Sequence, residues 1–131
     1  MSYTLDKRVA GDFDEIVDLT EEALSAEGFG VLCDIDVRAT LKKKLDEEFR
    51  DYRILGACNP PLAHQALEAE LRLGALLSCN VVVYETDDGD VGVSAVDPEV
   101  MLSVVDNPDL DEVASEVRER FERVLAALPE A

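Results

Sequence analysis

Tryptophan is missing from the chain, histidine occurs once, and lysine appears only as Lys7, Lys42, Lys43 and Lys44. Each shortage closes off a class of function. A lone histidine, His64, cannot build a conventional two-histidine metal site, and on a helical segment it makes no credible serine–histidine–acid set. The three cysteines, Cys33, Cys58 and Cys79, form no CxxC pair and no zinc-ribbon spacing, so no conventional metal site is expected. Their odd number points to free thiols rather than a disulfide framework. Gly28-Phe29-Gly30 lacks the flanking glycines and the lysine of a phosphate-binding loop. No apolar run approaches the ~20 residues of a membrane span. The opening Met1-Ser2-Tyr3-Thr4-Leu5-Asp6-Lys7-Arg8 has no apolar stretch after a basic one, so no secretory signal is expected. The chain reads as cytoplasmic, with no membrane partner.

Negative charge is what the sequence has in excess. Thirty acids face twelve bases, for a net charge of −18. Such a chain repels the polyanionic surfaces of nucleic acid and anionic lipid, so no nucleic-acid partner is expected. The acids are spread over every segment rather than gathered in a tail. That distribution suits halophilic adaptation, because the Debye length falls to ~3 Å at 1 M salt and self-repulsion is muted. A hydrophobic fraction of 47% beside 32% charged residues belongs to a folded globule. The length supports one core but not two, so a single domain over residues 1–131 is expected.

Periodicity divides the chain into alternating elements. Tyr3 to Val9 alternates as a half-buried strand, and Asp12 with Glu15 matches a capping box before a helix whose apolar face is Phe13, Ile16, Val17, Thr20 and Leu24. Gly28 closes that helix. Phe29 to Asp36 reads as a strand, and Asp36 caps a helix with an expected buried face of Val37, Leu41, Leu45 and Phe49. On that helix Asp46, Glu47 and Glu48 each follow a lysine of the Lys42-Lys43-Lys44 cluster by four positions, which makes the cluster a solvated, neutralised surface. Tyr52 to Ala57 is a third strand. Asn59-Pro60-Pro61 then supplies a cap and an N1 proline for a helix carrying Leu62, Ala66, Leu67 and Leu71. Asn80 to Glu85 and Val91 to Val96, joined at Asp88-Gly89, read as an antiparallel hairpin. Asp97-Pro98 ends it, a short segment with Met101 and Leu102 follows, and Asn107-Pro108 opens a last helix. Its core stripe is Leu110, Val113, Val117, Phe121, Val124 and Leu128. The order is β-α-β-α-β-α-β-β-α, an α+β class with a largely antiparallel five-stranded sheet favoured by the hairpin.

Chemistry gathers around Cys58 and Cys79. Cys58 ends a strand directly before a helix cap, where unpaired N–H groups and the helix dipole are expected to stabilise a thiolate. His64 lies about one and a half turns into the same helix, too far along for direct pairing with Cys58. Parallel strands would put Cys58 and Cys79 at opposite sheet ends, roughly 17–20 Å apart, whereas antiparallel strands would put them at the same end. Periodicity leaves that choice open. Cys33, inside an apolar strand with no cap beside it, is expected to be structural. Met101 reads as core, although a soft cysteine and methionine set would suit monovalent copper if the positions converged.

Two stretches, Gly56-Ala57-Cys58-Asn59-Pro60-Pro61-Leu62-Ala63-His64 and Leu77-Ser78-Cys79-Asn80-Val81-Val82-Val83, resemble the domain of unknown function family 302. Gly28-Phe29-Gly30-Val31, Ile35-Asp36-Val37 and Ala95-Val96-Asp97-Pro98 before Met101 fit the same pattern, so the resemblance spans essentially the whole chain. It implies an antiparallel sheet with a long C-terminal helix across it, similar to the TATA-binding-protein-like superfold, and a homodimer. It also implies that Cys58 and Cys79 lie near one end of the sheet. The positions it marks are Cys58, Asn59, Pro60, Cys79, Asn80 and, more weakly, Asp97. Ser78 stands where the family usually has proline, which is expected to loosen that corner. Cys33 stands where a threonine-like residue would be expected.

The candidate ligand-binding residues are thus Cys58, Asn59, His64, Cys79, Asn80 and Asp97. The function favoured is a small-ligand or thiol/redox-linked binding module. A cysteine-dependent enzyme of sulfur or acyl transfer and a purely structural dimeric scaffold are the alternatives, and the sequence does not say which cofactor, if any, is used.

Overall fold

The computed structural model describes residues 2–76 and 79–131. Five strands, Thr4–Val9 (β1), Gly30–Asp36 (β2), Tyr52–Cys58 (β3), Cys79–Glu85 (β4) and Val91–Val96 (β5), form one sheet in the order β1-β5-β4-β3-β2. Every neighbouring pair is antiparallel. The helices are Phe13–Ala26 (α1), Val37–Leu45 (α2), Pro60–Ala69 (α3), Pro98–Leu102 (α4) and Asp111–Ala126 (α5). The expected α+β architecture is therefore the one observed, with α4 an additional short helix. Among the described residues, no helix is long and apolar enough to cross a membrane.

Alternation sorts the sheet into two faces. Leu55, Ala57, Val81, Val83, Val93 and Ala95 are buried together with the apolar faces of α1 and α5. The whole predicted stripe Leu110, Val113, Val117, Phe121, Val124 and Leu128 is buried, and Phe121 stacks on Phe29 with ring centroids 4.9 Å apart. The C-terminus of α5 is held by Lys7, whose Nζ donates to the carbonyls of Leu125 at 2.8 Å and Leu128 at 2.6 Å. A cation placed on the last carbonyls of a helix satisfies orphan acceptors and opposes the dipole favourably. Beyond that, Val9 bridges to Glu130, and Ala10 N–H donates to Pro129 O, so the C-terminal end of β1 is covered on its outer side.

The opposite face of the sheet carries no helix. Its cross-strand rows are Ile35–Ile54–Val82–Ser94–Asp6 and Tyr52–Tyr84–Gly92–Arg8. Tyr52 and Tyr84 stack at 5.9 Å, and a side chain at Gly92 would fall within 2.5 Å of the Tyr84 ring, so only glycine lets the ring lie flat there. Asp6 accepts a 2.6 Å hydrogen bond from Ser94 Oγ, which keeps this buried hydroxyl satisfied.

Several local expectations are corrected. Asp12 occupies the N-cap of α1, but its side chain makes no cap hydrogen bond, so the capping box with Glu15 does not form; the exposed carboxylate stays in water. Gly28 does close α1, through a Schellman arrangement: Gly28 N–H donates to Ser25 O and Phe29 N–H to Leu24 O, with Gly28 at φ +85°. Asp36 caps α2 as expected, accepting from Ala39 N–H at 2.9 Å. However, α2 has no buried residue; Leu45 is 64% exposed and Phe49, past the end of the helix, is 41% exposed. The helix packs beside β2 and β3, near the β2 edge of the sheet, and none of its residues is buried. Because it stops at Leu45, Lys42 pairs with Asp46 in the left-handed cap and reaches Glu48 rather than continuing a helical ladder. Leu71 is likewise 85% exposed, because α3 ends at Ala69 and a short 3₁₀ turn over Leu71–Ala75 buries Leu73 instead.

Candidate functional site

The end of the sheet that carries Cys58 and Cys79 is assembled by one capped turn. Asn59 leaves β3 in an extended conformation, and its Oδ1 accepts from Leu62 N–H at 3.3 Å, while its carbonyl accepts from Ala63 N–H at 2.8 Å. Pro60 and Pro61 supply the first turn of α3 without donors. Asn59 is buried, and its side chain lies against Gly28: a Cβ at Gly28 would stand 3.0 Å from Asn59 Nδ2 and 3.2 Å from the Arg120 guanidinium. Two loops distant in sequence therefore lock each other, the glycine closing α1 and the asparagine opening α3.

Antiparallel pairing then decides where the second thiol stands. Ala57 of β3 is opposite Cys79 of β4, so Cys58 and Cys79 lie at the same end of the sheet. Both are half-buried, and both line a small, partly open apolar cavity of about 30 Å³ that is also lined by residues of α3, α4 and α5. Phe29, Leu62, Met101 and Val117 supply much of its wall. A water needs ~10–15 Å³ by this measure. The space fits one or two waters or a single ion, and is far below the ~300–1,000 Å³ of a metabolite pocket.

The electrostatics depart from the expectation of an activated thiolate. The first turn of α3 has no donor to spare: two of its residues are prolines, and the next two N–H groups are bound to Asn59 itself. The dipole-end argument fails here because the donors that would carry it are absent or occupied. Burial pushes the Cys79 thiol up to about 11, with the neighbouring Cys58 adding to the effect. At neutral pH Cys79 is a protonated thiol in apolar surroundings.

The remaining sequence candidates are not brought to this cavity. His64 is 77% exposed and pairs with Glu68 one turn on, at 3.2 Å. Asn80 stands opposite Gly56 on the helix-free face, beside Tyr52 and Val82. Asp97 is buried as the cap of α4, accepting from Glu99 N–H at 3.0 Å, with Arg118 Nε 3.8 Å away. Cys33, expected to pack, is exposed, because β2 is the edge strand and a register shift between Val31 and Cys33 turns the chain away from the core. Ser78 and its expected loosening of the corner lie outside the described residues. Sequence reasoning placed Met101 in the core, where it does pack half-buried, but its position on the cavity wall depends on α4 folding back over the sheet end. Among the described residues, no group of three or more histidine, cysteine, aspartate or glutamate side chains is placed to hold a metal ion.

The fold and the cavity define a small antiparallel α+β protein with paired thiols at one sheet end. Its family follows from comparison: a model of the Domain of unknown function DUF302 matches residues 5–128, and the chain belongs to that family. A solved structure of similar shape is the uncharacterized conserved protein DUF302 from Bacillus stearothermophilus. It is 28% identical, with a TM-score of 0.91 over 98% of this chain and 99% of the other. Comparison with curated proteins found no match.

Proposed function

We propose that this chain is a single-domain cytoplasmic binding module that holds a very small, soft ligand between the thiols of Cys58 and Cys79. The observation that carries the reading is that both cysteines line one apolar cavity at the same end of the sheet. A nucleophilic enzyme is less well supported, since His64 faces solvent and the α3 terminus has no free donors for a thiolate. Arsenite tests the reading, because trivalent arsenic is held firmly only where two thiols converge. In a Cys33→Ser background, which removes the exposed thiol, native mass spectrometry should find one arsenic per chain. Cys58→Ser and Cys79→Ser should each abolish it. Retention of arsenic by either single-thiol variant, or none in the parent, refutes a shared space.

A second reading concerns the partner, and a different surface favours it. Between the charged ends at Asp6 and Arg8, the stretch formed by Ile35, Ile54, Val82, Tyr52, Tyr84 and Gly92 carries no charge, in a chain that is 32% charged. A second copy laid on this helix-free face would remove these side chains, and the exposed Phe49 beside Tyr52, from water. Sedimentation equilibrium in molar salt, where repulsion between two chains of −18 is screened, should show a homodimer that Val82→Arg converts to folded monomer. A monomeric parent protein under those conditions rules the interface out.

A further inference from the structure

We infer that the cavity is a binding site for monovalent copper, with Cys58, Cys79 and Met101 as its three sulfur ligands. The inference rests on the shared-thiol reading above and names the ligand of that site.

Three separate elements each contribute one sulfur-bearing residue to the lining: the last residue of β3, the first of β4, and Met101 of α4, which also borders the hollow beside Asn80 and Val96. Strict alternation along β3 would send Cys58 to the face opposite Ala57 and Cys79. The strand ends at Cys58, however, where the chain turns into the Asn59 cap, and Cys58 lines the cavity together with Cys79. Among the described residues, the cavity lining offers little but sulfur as a side-chain donor. The polar side chain among its described lining residues, Asn59, already commits its oxygen to Leu62 N–H.

Ligand chemistry then narrows the ion. Thiolate and thioether donors select Cu(I), which accepts low coordination numbers, over harder cations. Zinc takes a closed tetrahedral set including further cysteine, histidine or carboxylate ligands, and no such group exists among the described residues. Calcium and magnesium need oxygen ligands that this wall lacks. A space of about 30 Å³ accommodates an ion and excludes a metabolite. Binding balances without electron transfer: one Cu⁺ and two thiols give a copper dithiolate and two protons released to solvent. The Met101 thioether donates a lone pair and gives up no proton.

The test uses the reduced, full-length chain in the Cys33→Ser background, under anaerobic conditions, with Cu(I) supplied as its bathocuproine disulfonate complex. One copper per chain should transfer to the protein, and X-ray absorption should count three sulfurs around it. Cys58→Ser or Cys79→Ser should weaken retention by ~100-fold or more, and Met101→Leu by ~10-fold or more, since even a lost outer-shell partner costs ~10–100-fold. Met101→Leu should also lower the sulfur count to two. Because leucine keeps the volume of methionine, unchanged thermal unfolding of the metal-free variant verifies that its fold is intact. No transfer of copper, or a Met101→Leu variant with parental affinity and sulfur count, overturns the inference. Arsenic bridging without copper transfer defeats the copper site alone, whereas failure of both defeats the shared-thiol reading as well.

Discussion

Replacing Gly28 by alanine strikes the joint between α1 and α3, and its cost can be worked from the geometry. Gly28 sits at φ +85°, a left-handed conformation that costs an L-residue roughly 1–2 kcal/mol. The new Cβ would also stand 3.0 Å from Asn59 Nδ2 and 3.2 Å from Arg120 Nη1. Arg120 is a long side chain and can move, although it would give up its 2.6 Å bond to Glu27 O. Asn59 is short and buried, so it can yield only by leaving its cap on Leu62, a contact of a kind worth ~1 kcal/mol. Together these give a destabilisation of about 2–3 kcal/mol, which for a chain of this size lowers the melting temperature by ~10 °C. Calorimetry in molar potassium chloride would measure it. Gly30→Ala is the control, since nothing lies within 4 Å of its Cβ position and its backbone is not left-handed. If the two alanine variants melt together, neither the conformational penalty nor the Asn59 contact operates as argued.

Other expectations follow from burial and charge. Phe121→Ala removes a fully buried ring stacked on Phe29 and should cost ~3–5 kcal/mol in urea unfolding; a loss below ~1 kcal/mol contradicts the packing. Cys79 holds its proton more tightly folded, at about 11, than at the ordinary 9.0. Its contribution to stability is thus complete below pH 9 and is lost as pH rises through 11, because the unfolded chain ionises first. In the Cys33→Ser background its alkylation rate should keep climbing past pH 10, and a plateau near pH 9 would show the thiol is not shielded. With a net charge of −18, unfolding free energy should rise as salt is raised from dilute buffer to molar concentration, and a flat profile argues against halophilic adaptation.

The elements legible in the sequence were those whose partners are local or whose core face is uninterrupted. Val91–Val96 and the Leu110-to-Leu128 stripe stand where periodicity puts them, and Asn59 caps α3 as its neighbours predict. Periodicity identifies which side of a helix is apolar but is silent on whether anything faces that side. That is why Val37, Leu41, Leu45 and Phe49 read as core while α2 stands near the sheet edge with no residue buried. The same limit misplaced Cys33, whose strand has an apolar composition but an edge position. For the candidate site, Cys58, Asn59 and Cys79 were visible from their places at element ends. Whether the thiols shared an end depended on the β3–β4 pairing direction, and Met101 joined them only through the path of α4. Both are long-range facts that no local pattern encodes.

The strand order places β1 in an unusual position during synthesis. Thr4 pairs with Val96 and Val9 with Val91 on one side, and residues 129–131 meet its Arg8–Ala10 end on the other. As the nascent chain lengthens, the hairpin of β4 and β5 closes over a short turn, and β3 joins it from upstream. β1, the first strand translated, stays bare along both rows of backbone groups until β5 arrives. Through that wait it is open to mispairing with a neighbouring chain, and its Asp6, Lys7 and Arg8 keep it charged.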